Sequence, residues 1–254
     1  MISVATLAVA AVLAALLSAT ARRVPLPAAV PLPDRWHRTV TPVTGGIALF
    51  GAFALVLIPS FASGAVAARY LALVLGAGAA FALGLWDDVA HIDARTKFCS
   101  QLLIALFAAA AGLHPDWLPT WVGIPLACVV LVASMNSFNL LDNMDGLAAG
   151  TAAVAAIGLA LVAGLVPDSG SSVVAAALAG ACLGFLPFNY RPRRPASIFM
   201  GDSGSHMLGF ALGGLAVLAS PGGAGGAAAA VAAPLLILAL PFLDTAFVML
   251  VRFA

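Results

Sequence analysis

All ten acids in this chain are aspartates, and six of them fall in three short polar stretches of an otherwise apolar sequence. The first stretch is Gly84-Leu85-Trp86-Asp87-Asp88, followed by Asp93, Arg95 and Lys97. Adjacent carboxylates repel each other, and a helix C-terminus disfavours anions by a further ~0.3–1 kcal/mol. A divalent cation or a protonatable base accounts for such a pair. A charged stop at a membrane interface, offset by Lys97, is the plainer alternative. The second stretch runs from Asn136 to Gly146 and holds Asn139, Asp142, Asn143 and Asp145. Asn136, Asn139 and Asn143 have the i, i+3, i+7 spacing of one helix face, and Asp142 and Asp145 can also share a face. Asp145 lies just ahead of Gly146 and a new apolar run, so it also reads as a helix N-cap. The third stretch is Phe199-Met200-Gly201-Asp202-Ser203-Gly204-Ser205. A helix starting there offers free N–H groups and a positive dipole end, a cradle for phosphate in which Ser203 and Gly204 are the expected contacts. Small residues let the backbone approach a ligand closely. Asp202 could hold a metal beside that phosphate, with N-capping by Asp202 or Ser203 as the alternative. Together these groups suit Mg²⁺ and a diphosphate, because phosphoryl transfer needs mainly positioning and charge neutralisation.

The elements that position these stretches follow from composition. The 254 residues are 63% hydrophobic and only 8% charged, with a mean hydropathy of +1.11. A soluble domain carries roughly 25% charge, so a water-soluble enzyme is excluded, and so is a disordered chain. The net charge of +1 gives no basic field for nucleic acid. Cys99, Cys128 and Cys182 sit in apolar runs with no metal or disulfide spacing. Nine apolar runs approach the ~20 residues needed to cross a bilayer. They lie at about 1–21, 44–62, 68–86, 98–113, 121–141, 146–166, 172–188, 205–220 and 228–250. The connectors are short, which predicts one all-α polytopic membrane bundle over 1–254 with no linker. The first run lacks a basic leader and reads as a span rather than a signal peptide.

Cytoplasmic loops are enriched in Lys and Arg. Ten of the eleven basic residues fall in odd-numbered connectors or after the ninth run; Arg69 is the exception. That places the N-terminus outside and the three aspartate stretches at the cytoplasmic face. Arg191, Arg193 and Arg194 read first as orientation determinants, with phosphate contact as a second role. A polar site on an embedded bundle points to a lipid as one substrate.

These strings resemble the polyprenyl-phosphate N-acetylhexosamine-1-phosphate transferases. The resemblance rests on Asp34-Arg35-Trp36-His37 with Thr41-Pro42 and Gly45-Gly46, on Gly84 to Asp88 with Lys97, on Asn136 to Gly146, on Phe188-Asn189-Tyr190 and on Phe199 to Ser205. It spans nearly the whole chain, in the same order. It implies transfer of a sugar 1-phosphate from a UDP-N-acetylhexosamine to undecaprenyl or another polyprenyl phosphate, with release of UMP. This would be the first membrane step of cell-envelope glycan synthesis, at the cytoplasmic face of a bacterial inner membrane. It implies Mg²⁺, with Mn²⁺ as a substitute, and leaves a homodimer open as the assembly. It assigns Asp87 and Asp88 to catalysis and Asp202 to the metal. Lys97, Asn136, Asn139, Asp142, Asp145, Asn189, Ser203 and Gly204 would contact substrate. The string Asn139 to Asp145 is closer to the GlcNAc branch than to the phospho-MurNAc-pentapeptide branch. Such proteins continue past the ninth span into a loop with a His-rich motif, so a missing C-terminal segment and weak turnover of this chain are expected. Two readings from other classes are an inactive structural subunit and a transporter, the latter kept open by Asp244 within the last run.

Overall fold

The computed structural model describes residues 2–24, 28–29, 40–64, 66–67, 69–164, 169–218, 232 and 234–253. The Asp34-Arg35-Trp36-His37 string and Asp168 lie outside the described residues. The chain forms helices α1 (Ile2–Ala21), α2 (Gly45–Ala62), α3 (Arg69–Ala90), α4 (Ala94–Ala110), α5 (Thr120–Leu141), α6 (Leu147–Ala163), α7 (Ser169–Asn189), α8 (Gly201–Val217) and α9 (Ala239–Phe253). Between α1 and α2, two-residue strands β1 (Ala28–Ala29) and β2 (Thr41–Pro42) pair antiparallel, Ala28 with Pro42 and Ala29 with Thr41. Lipid offers no hydrogen bonds, so apolar segments of this kind must satisfy their backbone internally, as helices do.

Each of the nine apolar runs contains a helix. Five of them, in α1, α2, α3, α5 and α7, are long and apolar enough to cross a membrane. α4, α6 and α8 have 17 residues each and α9 has 15. The described residues therefore mark five clear spans where composition predicts nine. Large apolar side chains such as Leu55, Ile58, Leu75, Phe107, Val129 and Leu161 point outward. The hydrophobic effect would oppose that surface in water, and a bilayer removes the penalty. This is an all-α polytopic membrane architecture.

The core is α8, where every residue from Ser203 to Leu215 is buried. α2, α3, α5 and α6 pack around it. Membrane helices gain little from hydrophobic association and rely on close contact between small residues. A side chain at Gly209 would overlap the Ser134 carbonyl of α5, and one at Gly84 would overlap the Asp202 carbonyl of α8. α1 lies along α7 for the same reason, since Gly180 and Gly184 of α7 receive the backbone of Leu7 and Ala11. α3 runs to Ala90, four residues past the apolar run, so Asp87 and Asp88 occupy its last turn.

Candidate active site

The Gly84 contact determines what the aspartate pair does. With α3 pressed on α8, Asp88, four residues after Gly84, reaches the first turn of α8. Its Oδ1 accepts from the Asp202 N–H at 2.8 Å and its Oδ2 from the Ser203 N–H at 3.0 Å. Gly201 stands beside it with φ +71, and a Cβ there would come 2.7 Å from Asp88 Oδ2. Asp88 thus lies at the negative end of its own helix and the positive end of another, and the second dipole offsets the first. The N–H groups expected to be free for phosphate at this helix start are therefore occupied, because Gly204 N also donates to the Met200 carbonyl. Neither Asp202 nor Ser203 caps α8; Asp88 caps it from α3. Ser203 and Gly204 are buried, and a Cβ at Gly46 of α2 would strike both, so they hold helices together and do not face solvent.

Asp202 is the hub. Its Oδ2 accepts from Lys97 Nζ of α4 at 2.7 Å and its Oδ1 from Asn139 Nδ2 of α5 at 2.8 Å. Lys97, the chain's single lysine, also pairs with Asp87 Oδ2. Asp87 is 8% exposed, and its Oδ1 accepts from the Ile92 N–H at 2.9 Å. Asn139 reaches on to Ser205 Oγ at 3.2 Å. Four helices thus meet at one carboxylate. An ammonium has three donors, and Asp87 and Asp202 use two, leaving one for a phosphate oxygen.

Asp93 is set apart from this network. It caps α4, with Oδ1 accepting from the Arg95 and Thr96 N–H groups, each at 3.0 Å, and Oδ2 from Thr96 Oγ1 at 2.6 Å. These bonds hold its carboxyl below the usual range. The ionised form is the capping form, so its contribution is present above the ordinary carboxylate range and is lost as pH falls through the lowered value. Protection factors of the Arg95 and Thr96 amides, taken relative to the intrinsic exchange rate at each pH, should fall on acidification and in Asp93→Ala at neutral pH. Unchanged protection in that variant would refute the cap.

The second stretch divides. Asn139 joins the hub. Asn136 turns to α4 instead, donating to Gln101 Oε1 and the Val132 carbonyl, each at 2.8 Å. α5 ends at Leu141, so Asn143 lies in the exposed turn beyond it and does not continue the expected face. Asp142 closes α5. Burial pushes its carboxyl well above the usual range, and the charges of Asp202, Asp88 and Asp145 push the same way. Asp145 does not cap α6, which begins after Gly146 at φ +78 with no side-chain cap. Its Oδ2 instead accepts from the Ala196 N–H at 3.3 Å. Asn189 is 2% exposed and spent at both ends, accepting from Gly146 N at 2.8 Å and donating to the Ile198 carbonyl at 3.1 Å. It clips the loop after α7 to the α5–α6 turn.

Three participants carry no role in the sequence reading. Gln101 and His206 had a signal in their i+4 spacing from Lys97 and Asp202. His206 Nδ1 lies 2.8 Å from the Asp202 carbonyl oxygen. Ser205 had a signal in its i+3 spacing from Asp202, but none for its partner Asn139, 66 residues away.

The ionisable ligands at the hub, Asp87 and Asp202, offer only carboxylate oxygen, which suits a hard cation. Among the described residues, no three His, Cys, Asp or Glu side chains form a ready-made metal cage. Mg²⁺ usually takes one or two protein carboxylates and completes its shell with phosphate and water. Asp87 and Asp202 already converge on one cationic centre, Lys97 Nζ, so the residues fit such an ion.

Comparison with known proteins identifies the family. Residues 70–220 match the model of glycosyl transferase family 4, a stretch that contains every described candidate residue. The chain is 37% identical over 219 residues to the phospho-N-acetylmuramoyl-pentapeptide-transferase of Desulforudis audaxviator, covering 72% of this chain and 64% of the relative. It is 34% identical over 232 residues to a probable undecaprenyl-phosphate N-acetylglucosaminyl 1-phosphate transferase of Bacillus subtilis, covering 85% and 61%. It is 35% identical over 202 residues to the decaprenyl-phosphate N-acetylglucosaminephosphotransferase of Mycobacterium tuberculosis, covering 69% and 49%. The chain thus spans about half to two thirds of the length of these relatives. With a match across more than half of its residues and the whole polar cluster, the chain belongs to glycosyl transferase family 4.

Proposed function

We propose that the protein transfers N-acetylhexosamine 1-phosphate from a UDP-sugar to a polyprenyl phosphate at the cytoplasmic face of a bacterial inner membrane. The observation that carries this reading is the convergence of Lys97 and Asn139 on Asp202, with Asp87 paired to the same Lys97. A lipid phosphate oxygen attacks the sugar-bearing phosphorus, a P–O bond forms, the anhydride breaks, and UMP leaves. Lys97 offers its remaining donor to a phosphate oxygen. Asp88 acts through α8, keeping Asp202 in place, while Asp87 and Asn139 orient the groups around it. Mg²⁺, or Mn²⁺ in its stead, would be held by Asp202 and Asp87 and would neutralise diphosphate charge. The concentration of basic residues on one side of the bundle supports the cytoplasmic assignment.

GlcNAc 1-phosphate is the favoured group, from the Asn139 to Asp145 string. The 37% identity to a pentapeptide-sugar transferase keeps phospho-MurNAc-pentapeptide as the second reading. Purified protein in vesicles with undecaprenyl phosphate should release UMP from UDP-GlcNAc faster than from UDP-MurNAc-pentapeptide. The reverse preference selects the second reading. No UMP from either donor, with Mg²⁺ present, would count against transfer by this chain.

A further inference from the structure

The arginines at the ends of α1 and α7 are far apart in sequence and adjacent in space. α1 and α7 pack in parallel, with Gly180 of α7 against Leu7 and Gly184 against Ala11, so both indices rise together. Their C-terminal ends therefore emerge side by side. Arg22 folds over the Phe188 ring, its guanidinium carbon 5.6 Å from the ring centroid. Thr44, the residue before α2, ties down the same end of α1 through its hydroxyl, which donates to the Ala21 carbonyl at 3.0 Å. Three residues after Phe188 comes Arg191, then Arg193 and Arg194 in a turn closed by Arg194 N donating to the Arg191 carbonyl at 2.9 Å. Arg193 holds a left-handed φ of 66 in that turn.

The loop that carries them is fixed on three sides. Asn189 donates to the Ile198 carbonyl, Ser197 donates to the Phe188 carbonyl through both N–H and hydroxyl, and Ala196 N donates to Asp145. Arg22, Arg23, Arg193 and Arg194 are exposed and Arg191 is half-buried. Among the described residues none of the five makes a salt bridge; the nearby Asp145 carboxylate takes a backbone N–H instead. Arg22 and Arg23 directly follow the α1 span, which ends at Ala21, and Arg191 comes two residues after the α7 span, which ends at Asn189. Span ends lie at headgroup depth. Orientation of the chain requires positive charge on one side only. It does not require five arginines to be gathered on one edge, with one seated on an aromatic ring and three in a clamped turn.

We infer that this edge is a binding site for the phosphate headgroup of an anionic membrane phospholipid. Guanidinium groups pair with phosphate oxygens through parallel N–H donors. Basic residues at headgroup depth each favour anionic lipid by roughly fivefold. The site flanks the catalytic cluster through the Asp145–Ala196 link and shares with it none of the Asp87, Asp88 and Asp202 carboxylates.

The test uses the purified full chain and native mass spectrometry of retained lipid, with phosphatidylglycerol and phosphatidylcholine supplied in equal amounts. The wild type should retain phosphatidylglycerol in clear excess. R191Q/R193Q/R194Q should reduce that excess by about tenfold or more. R22Q/R23Q should reduce it as well, although those residues are some 170 positions away, whereas R191K/R193K/R194K should keep most of it. Size-exclusion profile and helical circular dichroism verify folding. On the wild type alone, the excess should shrink as salt rises, because exposed charges are screened. Equal retention of the two lipids by the wild type, an excess unaffected by either glutamine variant, or an excess insensitive to salt would overturn the inference. Displacement of phosphatidylglycerol by millimolar inorganic phosphate would also overturn it, since the edge would then be a general anion site. The readout is independent of turnover and stands whether or not the transferase reading holds.

Discussion

Asp202→Asn should lower UMP release by about two to three orders of magnitude while leaving folded yield unchanged. Loss of one pre-organised electrostatic group from an active site typically has that effect. The amide keeps the size of the carboxylate and one acceptor oxygen, so either the Asn139 or the Lys97 hydrogen bond can persist. The negative charge goes, and with it the group that balances Lys97 against Asp87 and the best candidate to hold a divalent cation. The backbone N–H of residue 202 still donates to Asp88, so the start of α8 keeps its cap and the bundle keeps its core. Measured at saturating Mg²⁺ with monodisperse protein, near-wild-type turnover would remove Asp202 from the centre of the mechanism. A loss that matched a drop in folded yield would reassign it to structure.

Gly84→Ala should destabilise the protein and also suppress turnover, although residue 84 bears no chemistry. Its new methyl would overlap the Asp202 carbonyl and lie against the Ser203 nitrogen, which are backbone atoms and cannot swing aside. Overpacking of this kind costs about 1–3 kcal/mol. Relief requires α3 and α8 to separate, which lengthens the Asp88 bonds to the Asp202 and Ser203 N–H groups and shifts Asp202 relative to Lys97 and Asn139. A displacement near 1 Å can cost on the order of 100-fold in rate. Gly150 of α6 is the matched control, since nothing lies within 4 Å of a Cβ there. Gly150→Ala should leave both properties intact or raise stability slightly, because alanine is the better helix former. The thermal midpoint and UMP release of the two variants decide the matter. Indistinguishable behaviour would show that the α3–α8 contact does not position the site.

The sequence alone determined the helices and the chemical inventory. Apolar runs long enough for a bilayer must form helices, since no other open structure satisfies the backbone in lipid. Asp87, Lys97, Asn139 and Asp202 were legible as candidates because polar groups in so apolar a chain need partners. The family resemblance, carried by those same strings, agrees with the match over residues 70–220. What sequence periodicity could not give was which groups meet across helices. It relates neighbours three and four residues apart, whereas Asp88 and Asp202 are 114 apart and Lys97 and Asp202 are 105 apart. The first pairing depends on how closely α3 and α8 approach, a distance that Gly84 sets, and the second on where α4 brings Lys97. The same limit hid three placements. Asp88 caps another helix, Asn189 is held at both ends as a buried clip, and Asn143 falls beyond the end of α5, a boundary that spacing cannot locate. It also hid the arginine edge, where two basic segments equivalent in the sequence to any other positive charge were joined by the glycine-lined contact of α1 with α7. The tertiary structure decided these points because each depends on a backbone-to-backbone distance between helices, a quantity fixed by packing and absent from the order of residues along the chain.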